Sequence, residues 1–239
     1  MSTDPSRIIL HYLEKSRCHR IVWLLEELNI EYDLRLYHKN PYDQSAIKDI
    51  FQVSPLGKSP ILELQYQDKP KLILFESGHI INYLIDHYDN DLKPITEEGI
   101  IKHDYFTFLI ESSISENITF ILALKNFQSG LNDSSDVQEY IKVFNKGYNF
   151  RQLELKLDEL EVQLSSGSNY LIEDKLTSVD ILLSFYTHII FDTDLVDISK
   201  DRYPYLSKWW GNTLKQDGLI KANKRVLLEG DNKYPVWFD

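Results

Sequence analysis

The sequence predicts two domains: an α/β domain of order β-α-β-α-β-β-α over residues 1–88, and an all-α domain over residues 99–239, joined by a polar linker at 89–98. Three observations carry this reading. The hydrophobic period changes from strand-like to helical and back within the first forty residues. A Gly/Pro-punctuated segment, Ser54-Pro55-Leu56-Gly57-Lys58-Ser59-Pro60, leads into two short apolar runs spaced as a hairpin. Beyond residue 98 every apolar run has helical spacing.

The elements follow in order. Ile8 to Tyr12 is short, apolar and β-rich, and forms the first strand. Ile21, Leu24, Leu25 and Leu28 then recur at helical spacing, with Glu26 and Glu27 on the outer side and Asn29 ending the helix. Tyr32 to Tyr37 resumes strand character, and Ser45 to Ile50 supplies a polar helical turn. Ile61 to Leu64 and Lys71 to Phe75 form the hairpin around Asp68-Lys69-Pro70. Ser77 to Tyr88 is helical, with Ile80, Ile81, Leu84 and Ile85 on one face. In the second half, Ile101 to Ala123, Val137 to Leu164, Val179 to Phe191 and Tyr205 to Leu228 are each predicted as one helix.

Composition narrows the function. Over 239 residues, 26 Lys plus Arg face 37 Asp plus Glu, a net charge of -11. Such a chain repels phosphate backbones, so nucleic acid is not an expected partner. The single cysteine, Cys18, excludes an internal disulfide framework and a Cys-rich metal site, and points to a reducing, cytoplasmic compartment. Met1 to Arg7 is polar, with no secretory apolar core. No uninterrupted apolar run approaches the ~18 residues of a membrane span, so no transmembrane segment is expected, and peripheral membrane attachment stays open.

Three local motifs go further. The first is Ser16-Arg17-Cys18-His19-Arg20-Ile21-Val22-Trp23-Leu24-Leu25-Glu26-Glu27-Leu28, the second Pro55-Leu56-Gly57-Lys58-Ser59-Pro60 followed by Glu76-Ser77, and the third Leu176-Thr177-Ser178-Val179-Asp180-Ile181. With this order of elements they resemble the glutathione transferase superfamily, most of all the fungal glutathione transferases and their bacterial relatives. The resemblance implies a thioredoxin-like N-terminal domain that binds glutathione, a helical second domain, a two-fold homodimer, and roles in detoxification and oxidative stress. It implies glutathione as co-substrate and no other cofactor or metal. It makes Pro60 cis, so that the backbone of Ser59 would pair with the cysteinyl backbone of glutathione. Ser77, as an N-cap, would receive the γ-glutamyl carboxylate and Glu76 would accept from the γ-glutamyl ammonium. Lys58 would face the glycyl carboxylate, and Arg17 would orient the sulfur or a carboxylate. The third motif is structural: Thr177 and Asp180 fit a capping box, worth about 0.5–2 kcal/mol.

The chemistry requires a group that holds the sulfur as thiolate. A free thiol has a pKa near 8.5, and lowering it by about two units takes roughly 2.7 kcal/mol. A hydroxyl donating to the charged sulfur supplies about 1.5–3 kcal/mol, and a helix N-terminus adds to it. Ser16 is the catalytic candidate. His11, with Tyr12 beside it, stands where several transferase classes carry a tyrosine. Cys18, in the first helical turn with a lowered pKa, would instead form mixed disulfides with glutathione as a thiol transferase. The electrophile is expected to be small and apolar, or an organic hydroperoxide, against Phe106, Phe108, Ile110 and Phe120, near Glu111-Ser112-Ser113. The competing reading is a non-catalytic binding or regulatory module.

Overall fold

The computed structural model describes residues 4–40, 48–88, 91–130 and 135–230. It divides into two compact units: residues 1–91 together with 214–239, and residues 92–213. The start of the turn expected from Ser45 to Ile50 and part of the 89–98 linker lie outside the described residues.

The first unit holds strands β1 (Arg7–Leu13), β2 (Asp33–Tyr37), β3 (Ile61–Gln65) and β4 (Leu72–Phe75), and helices α1 (His19–Glu27) and α2 (Ser77–His87). The sheet order is β2-β1-β3-β4. β1 runs parallel to β2 and antiparallel to β3, which pairs antiparallel with β4. This is the thioredoxin-like arrangement the element order implies. Side chains of β1 alternate as a pleated strand requires. Tyr12 meets His19 at the start of α1, while Leu13 joins Tyr37, Ile50 and Ile61 in a buried cluster.

The second helical element of this unit is a single 3-10 helix, Lys48–Gln52, not an α-helix. It ends in a turn in which the Gly57 N–H donates to the Ser54 carbonyl at 2.9 Å. Gly57 has φ +59, and a Cβ there would run into the ring of Phe51. Glycine meets both constraints.

The second unit contains α3 (Glu97–Phe108), α4 (Ser115–Gly130), α5 (Ser135–Phe144), α6 (Phe150–Leu164), α7 (Ser178–Phe191) and α8 (Pro204–Thr213). The helix expected from Ile101 to Ala123 is interrupted by a π-helical segment, Leu109–Ile114, and the one expected from Val137 to Leu164 by a second, Asn145–Asn149. A reciprocal amide pair steadies the second: Asn117 Nδ2 donates to Asn149 Oδ1 at 2.6 Å, and Asn149 Nδ2 to the Asn117 carbonyl at 3.2 Å. The run Glu97–Lys125 spans 29 residues and is apolar enough, by length and composition, to cross a membrane. It packs against α7, as a core helix does. α7 is buried almost all round, as expected of a central helix.

The helix expected from Tyr205 to Leu228 is two helices, α8 and α9 (Asp217–Glu229). The break lets α9 pack on α1, so the C-terminal helix belongs to the α/β unit rather than to a helical domain running from 99 to 239.

The Thr177–Asp180 pair is a larger hub than a capping box. Thr177 N–H and its hydroxyl donate to Asp180 Oδ2 at 2.9 and 2.8 Å. Leu171 N–H and the Trp209 indole N–H donate to Oδ1 at 3.0 and 2.8 Å. Asp180 is wholly buried, and burial raises its pKa against these four donors. Removing the carboxylate would strand buried donors, each at about 1–3 kcal/mol. Asp180→Ala should therefore lose about 3 kcal/mol or more in urea unfolding, against about 1 kcal/mol for Thr177→Ala. Equal, small losses for both would reduce the hub to an ordinary cap.

Candidate functional site

The site residues gather where β1 ends. Pairing between β1 and β3 runs from Arg7–Gln65 to His11–Ile61 and stops there. The next residue back on the β3 side is Pro60, which has no N–H to offer, and the Ser59–Pro60 peptide bond is cis. Side chains take over the strand's polar groups. Ser59 Oγ donates to the His11 carbonyl at 3.0 Å and accepts from Leu13 N–H at 3.3 Å. Ser16 Oγ donates to the Leu13 carbonyl at 2.7 Å and accepts from Cys18 N–H at 3.2 Å. Ser16 and Ser59 are thus brought together through one residue, Leu13.

A second chain of bonds reaches the other motif. Arg20 is wholly buried in α1. Its Nε donates to the Arg17 carbonyl at 3.4 Å, and a terminal nitrogen donates to Ser77 Oγ at 2.7 Å. The Glu76-Ser77 corner is thereby tied to the start of α1. Arg20 was not singled out in the sequence, where it sits inside the apolar stripe of the helix. An arginine flanked by Ile21 and Val22 was the available signal, since arginine is almost never fully buried unless paired.

One capping expectation needs correction. Helix α2 starts at Ser77, so its N-cap is Glu76, and the Ser77 hydroxyl engages Arg20 instead of capping. Helix α1 starts at His19, so the N-cap is Cys18, and Ser16 lies two residues ahead of it. The first turn, His19 to Val22, has no acidic residue, and Glu26 and Glu27 stand at the far end. Its positive end therefore has no acidic residue of its own first turn to compensate it.

Glu76 is exposed, with φ 67 and ψ 126. A non-glycine residue in this region costs about 1–3 kcal/mol, and such residues cluster at ligand-binding positions. Lys58 is exposed on the loop before Ser59, and Arg17 is half-buried.

The alternatives to Ser16 are all buried. His11 is enclosed, 2.8 Å from the Tyr37 hydroxyl and 3.6 Å from a Glu63 carboxylate oxygen. Burial, and then the charge of Arg35, lower its pKa. Tyr12 is enclosed on the opposite face against His19. Cys18 is fully buried with its Sγ 3.5 Å from the His11 carbonyl, and burial pushes the thiol up to about 12. The expected lowering at a helix start is reversed because desolvation outweighs the hydrogen bonds and the charge of Arg20. In the second unit, of the four apolar residues expected to meet the electrophile, Phe106 and Ile110 are core, whereas Phe108 and Phe120 are exposed. Glu111-Ser112-Ser113 lies inside the first π-helical segment.

A cis-proline loop, a helix-start residue at positive φ and a half-buried hydroxyl before α1 thus belong to one thioredoxin-like domain. Comparison with known proteins agrees. The family model for the N-terminal domain of glutathione S-transferases matches residues 6–86, and that for the C-terminal domain matches residues 142–217. Glutathione S-transferase 1 of Saccharomyces cerevisiae is 29% identical over 231 residues, covering 94% of this chain and 97% of the relative. The solved glutathione S-transferase of Actinobacillus pleuropneumoniae is 30% identical with a TM-score of 0.70, covering 91% and 92% of the two chains. Ure2p, solved in complex with glutathione, shares the fold at 16% identity and a TM-score of 0.68, covering 93% and 99%. The chain belongs to the glutathione S-transferase family.

The burial of Cys18 has a direct test. A thiol near 12 is almost wholly protonated at neutral pH and shielded from solvent. A disulfide reagent should leave Cys18 unmodified in the folded protein and react with it after denaturation. Rapid labelling of the native protein would contradict this placement.

Proposed function

We propose that the protein is a glutathione transferase that ionises glutathione on the Ser16 hydroxyl and conjugates it to small apolar electrophiles, with reduction of organic hydroperoxides through the same thiolate. The observation that carries the reading is the junction of Ser16 and Ser59 at Leu13. A peptide laid along Ser59 as an added strand would bring its sulfur towards the start of α1. Arg17 would orient the sulfur or a carboxylate, Lys58 would face the glycyl carboxylate, and Glu76 would accept from the γ-glutamyl ammonium. The N–H groups at the start of α2, backed by Arg20, would take the γ-glutamyl carboxylate. The exposed apolar side chains of α3, Ile101 and Phe108 among them, support self-association into a homodimer. The single, buried cysteine suits a cytoplasmic enzyme.

The magnitude for Ser16 follows from what its proton does without substrate. It donates to the Leu13 carbonyl, a neutral bond worth about 1 kcal/mol, and would exchange that for a charged sulfur at about 1.5–3 kcal/mol. The net gain is about 0.5–2 kcal/mol, or roughly one pKa unit of the bound thiol. Ser16→Ala should raise the pKa of enzyme-bound glutathione by about one unit. The sign follows: a pKa raised towards that of the free thiol lowers turnover most near neutral pH, and alkali restores part of it. Cys18→Ser, whose hydroxyl can still donate to the His11 carbonyl, should retain most conjugating activity. Thiolate absorbance titrated against pH in both variants decides the matter. Loss in Cys18→Ser with wild-type titration in Ser16→Ala would transfer the chemistry to the cysteine.

A second reading is kept by one observation: Ure2p, on this fold, is known in complex with glutathione. A binding module without turnover would retain the tripeptide and fail the conjugation assay.

Glu76 separates binding from stability. Glu76→Gly should raise thermal stability by about 1 kcal/mol, because glycine relieves the strain at φ 67. The same variant, and Lys58→Ala, should raise the Michaelis constant for glutathione with little change in turnover, since both hold ends of the substrate that do not react. Unchanged Michaelis constants in both would place the tripeptide elsewhere.

A further inference from the structure

His19 is the first residue of α1, wholly buried, with both ring nitrogens in hydrogen-bond reach of partners from other elements. Nε2 lies 2.7 Å from Asn223 Oδ1 on α9, and Nδ1 lies 3.3 Å from the Tyr12 hydroxyl on β1. The amide oxygen can only accept, so Nε2 donates to it, and the Tyr12 hydroxyl stands within hydrogen-bond reach of Nδ1. The imidazole is thereby held between β1 and α9, with its ring edge-on to Tyr12 at 6.2 Å. At its backbone, the His19 N–H reaches the Ser16 carbonyl at 3.4 Å. The turn from Ser16 to His19 therefore has one end at the Leu13 carbonyl and the other on a ring fixed by β1 and α9.

We infer that His19 and Asn223 are positioning residues: the C-terminal helix, acting through the His19 ring, sets the position from which Ser16 meets the glutathione sulfur. This rests on the Ser16 reading above. Two further contacts seat α9 against the same region. Gly218 lies close against the Glu27 side chain at the end of α1, which an added Cβ would have to displace. Arg225 donates to the Tyr32 carbonyl at 3.0 Å and lies over the Tyr32 ring at 5.0 Å. These lie at the end of α1 and just before β2, while Asn223 reaches the residue that starts α1. Hydrogen bonding of a sulfur is a matter of tenths of an ångström, and small displacements of a reacting group carry large kinetic penalties.

The test compares Asn223→Leu, which removes the acceptor and keeps the bulk, with Asn223→Asp, which keeps the acceptor. Glutathione is the probe, and the readouts are the pKa of the bound thiol, kcat and KM. Asn223→Leu should raise the bound-thiol pKa and cut kcat by about tenfold, short of the roughly hundredfold that a 1 Å misplacement can cost. The KM for glutathione should stay within about twofold, because its charged ends are held elsewhere. Asn223→Asp should recover most of kcat. A lowered melting temperature in Asn223→Leu with wild-type kcat and thiol pKa would make the contact purely structural and overturn the inference. Should that variant not fold, Asn223→Ala, which also removes the acceptor, gives the same comparison. Ser16→Ala, run alongside, separates the two readings. If it shifts the thiol pKa and Asn223→Leu does not, only the positioning role falls; if Ser16→Ala shifts nothing, the serine mechanism falls and the positioning role with it.

Discussion

The site depends on how β1 stops. Antiparallel pairing with β3 cannot continue past His11 and Ile61, because the preceding residue on that side is a proline without an N–H. A strand end inside a folded unit must still satisfy its polar groups. The sequence solves this with side chains from two loops. Ser59 takes the His11 carbonyl and the Leu13 N–H, and Ser16 takes the Leu13 carbonyl. The hydroxyl proposed for catalysis and the residue proposed to pair with the substrate backbone are thus parts of one structural repair, and their separation is set by a single residue of β1.

Within three positions at the start of α1, burial decides which group is open to chemistry. Cys18 and Ser16 share the same turn, and Cys18 N–H even donates to Ser16 Oγ. The cysteine faces inward, where desolvation raises its thiol in spite of the nearby Arg20 charge. The serine is half-buried and retains access. A helix N-terminus alone would favour a thiolate at either place. Dehydration of the inward position reverses that preference for the chain's own sulfur.

The regular parts of the fold were legible because local pattern and tertiary packing agree there. β1, α1, the β3–β4 hairpin, α2 and α7 lie close to where alternation and helical spacing put them. Features that depend on distant contacts were not. The π-helical insertions at Leu109–Ile114 and Asn145–Asn149 leave the apolar period nearly unbroken, and the second is held by an amide pair between residues 32 apart in sequence. The break between α8 and α9 has no proline to mark it, and its consequence lies in packing against α1, nearly two hundred residues earlier. At the site, Ser16, Ser59, Pro60 and the Glu76-Ser77 corner were visible as motifs. Arg20 and Asn223 were not, since an arginine in an apolar stripe and an asparagine on a polar helix gain meaning only when Ser77 and His19 are seen beside them.

Strain and satisfaction are divided unevenly across the site. The Ser16, Ser59 and Arg20 side chains are all engaged in hydrogen bonds before any substrate arrives. Glu76 differs: its backbone is held at a positive φ that a glutamate does not adopt freely, and its side chain is exposed. A fold selected for stability alone would place glycine there. Retaining a charged side chain at about 1–3 kcal/mol of conformational cost makes sense when the side chain is aimed at something the unliganded chain does not contain. The pre-engaged residues define the frame, and at Glu76 a positive φ and an exposed side chain coincide at the position proposed to meet the γ-glutamyl ammonium.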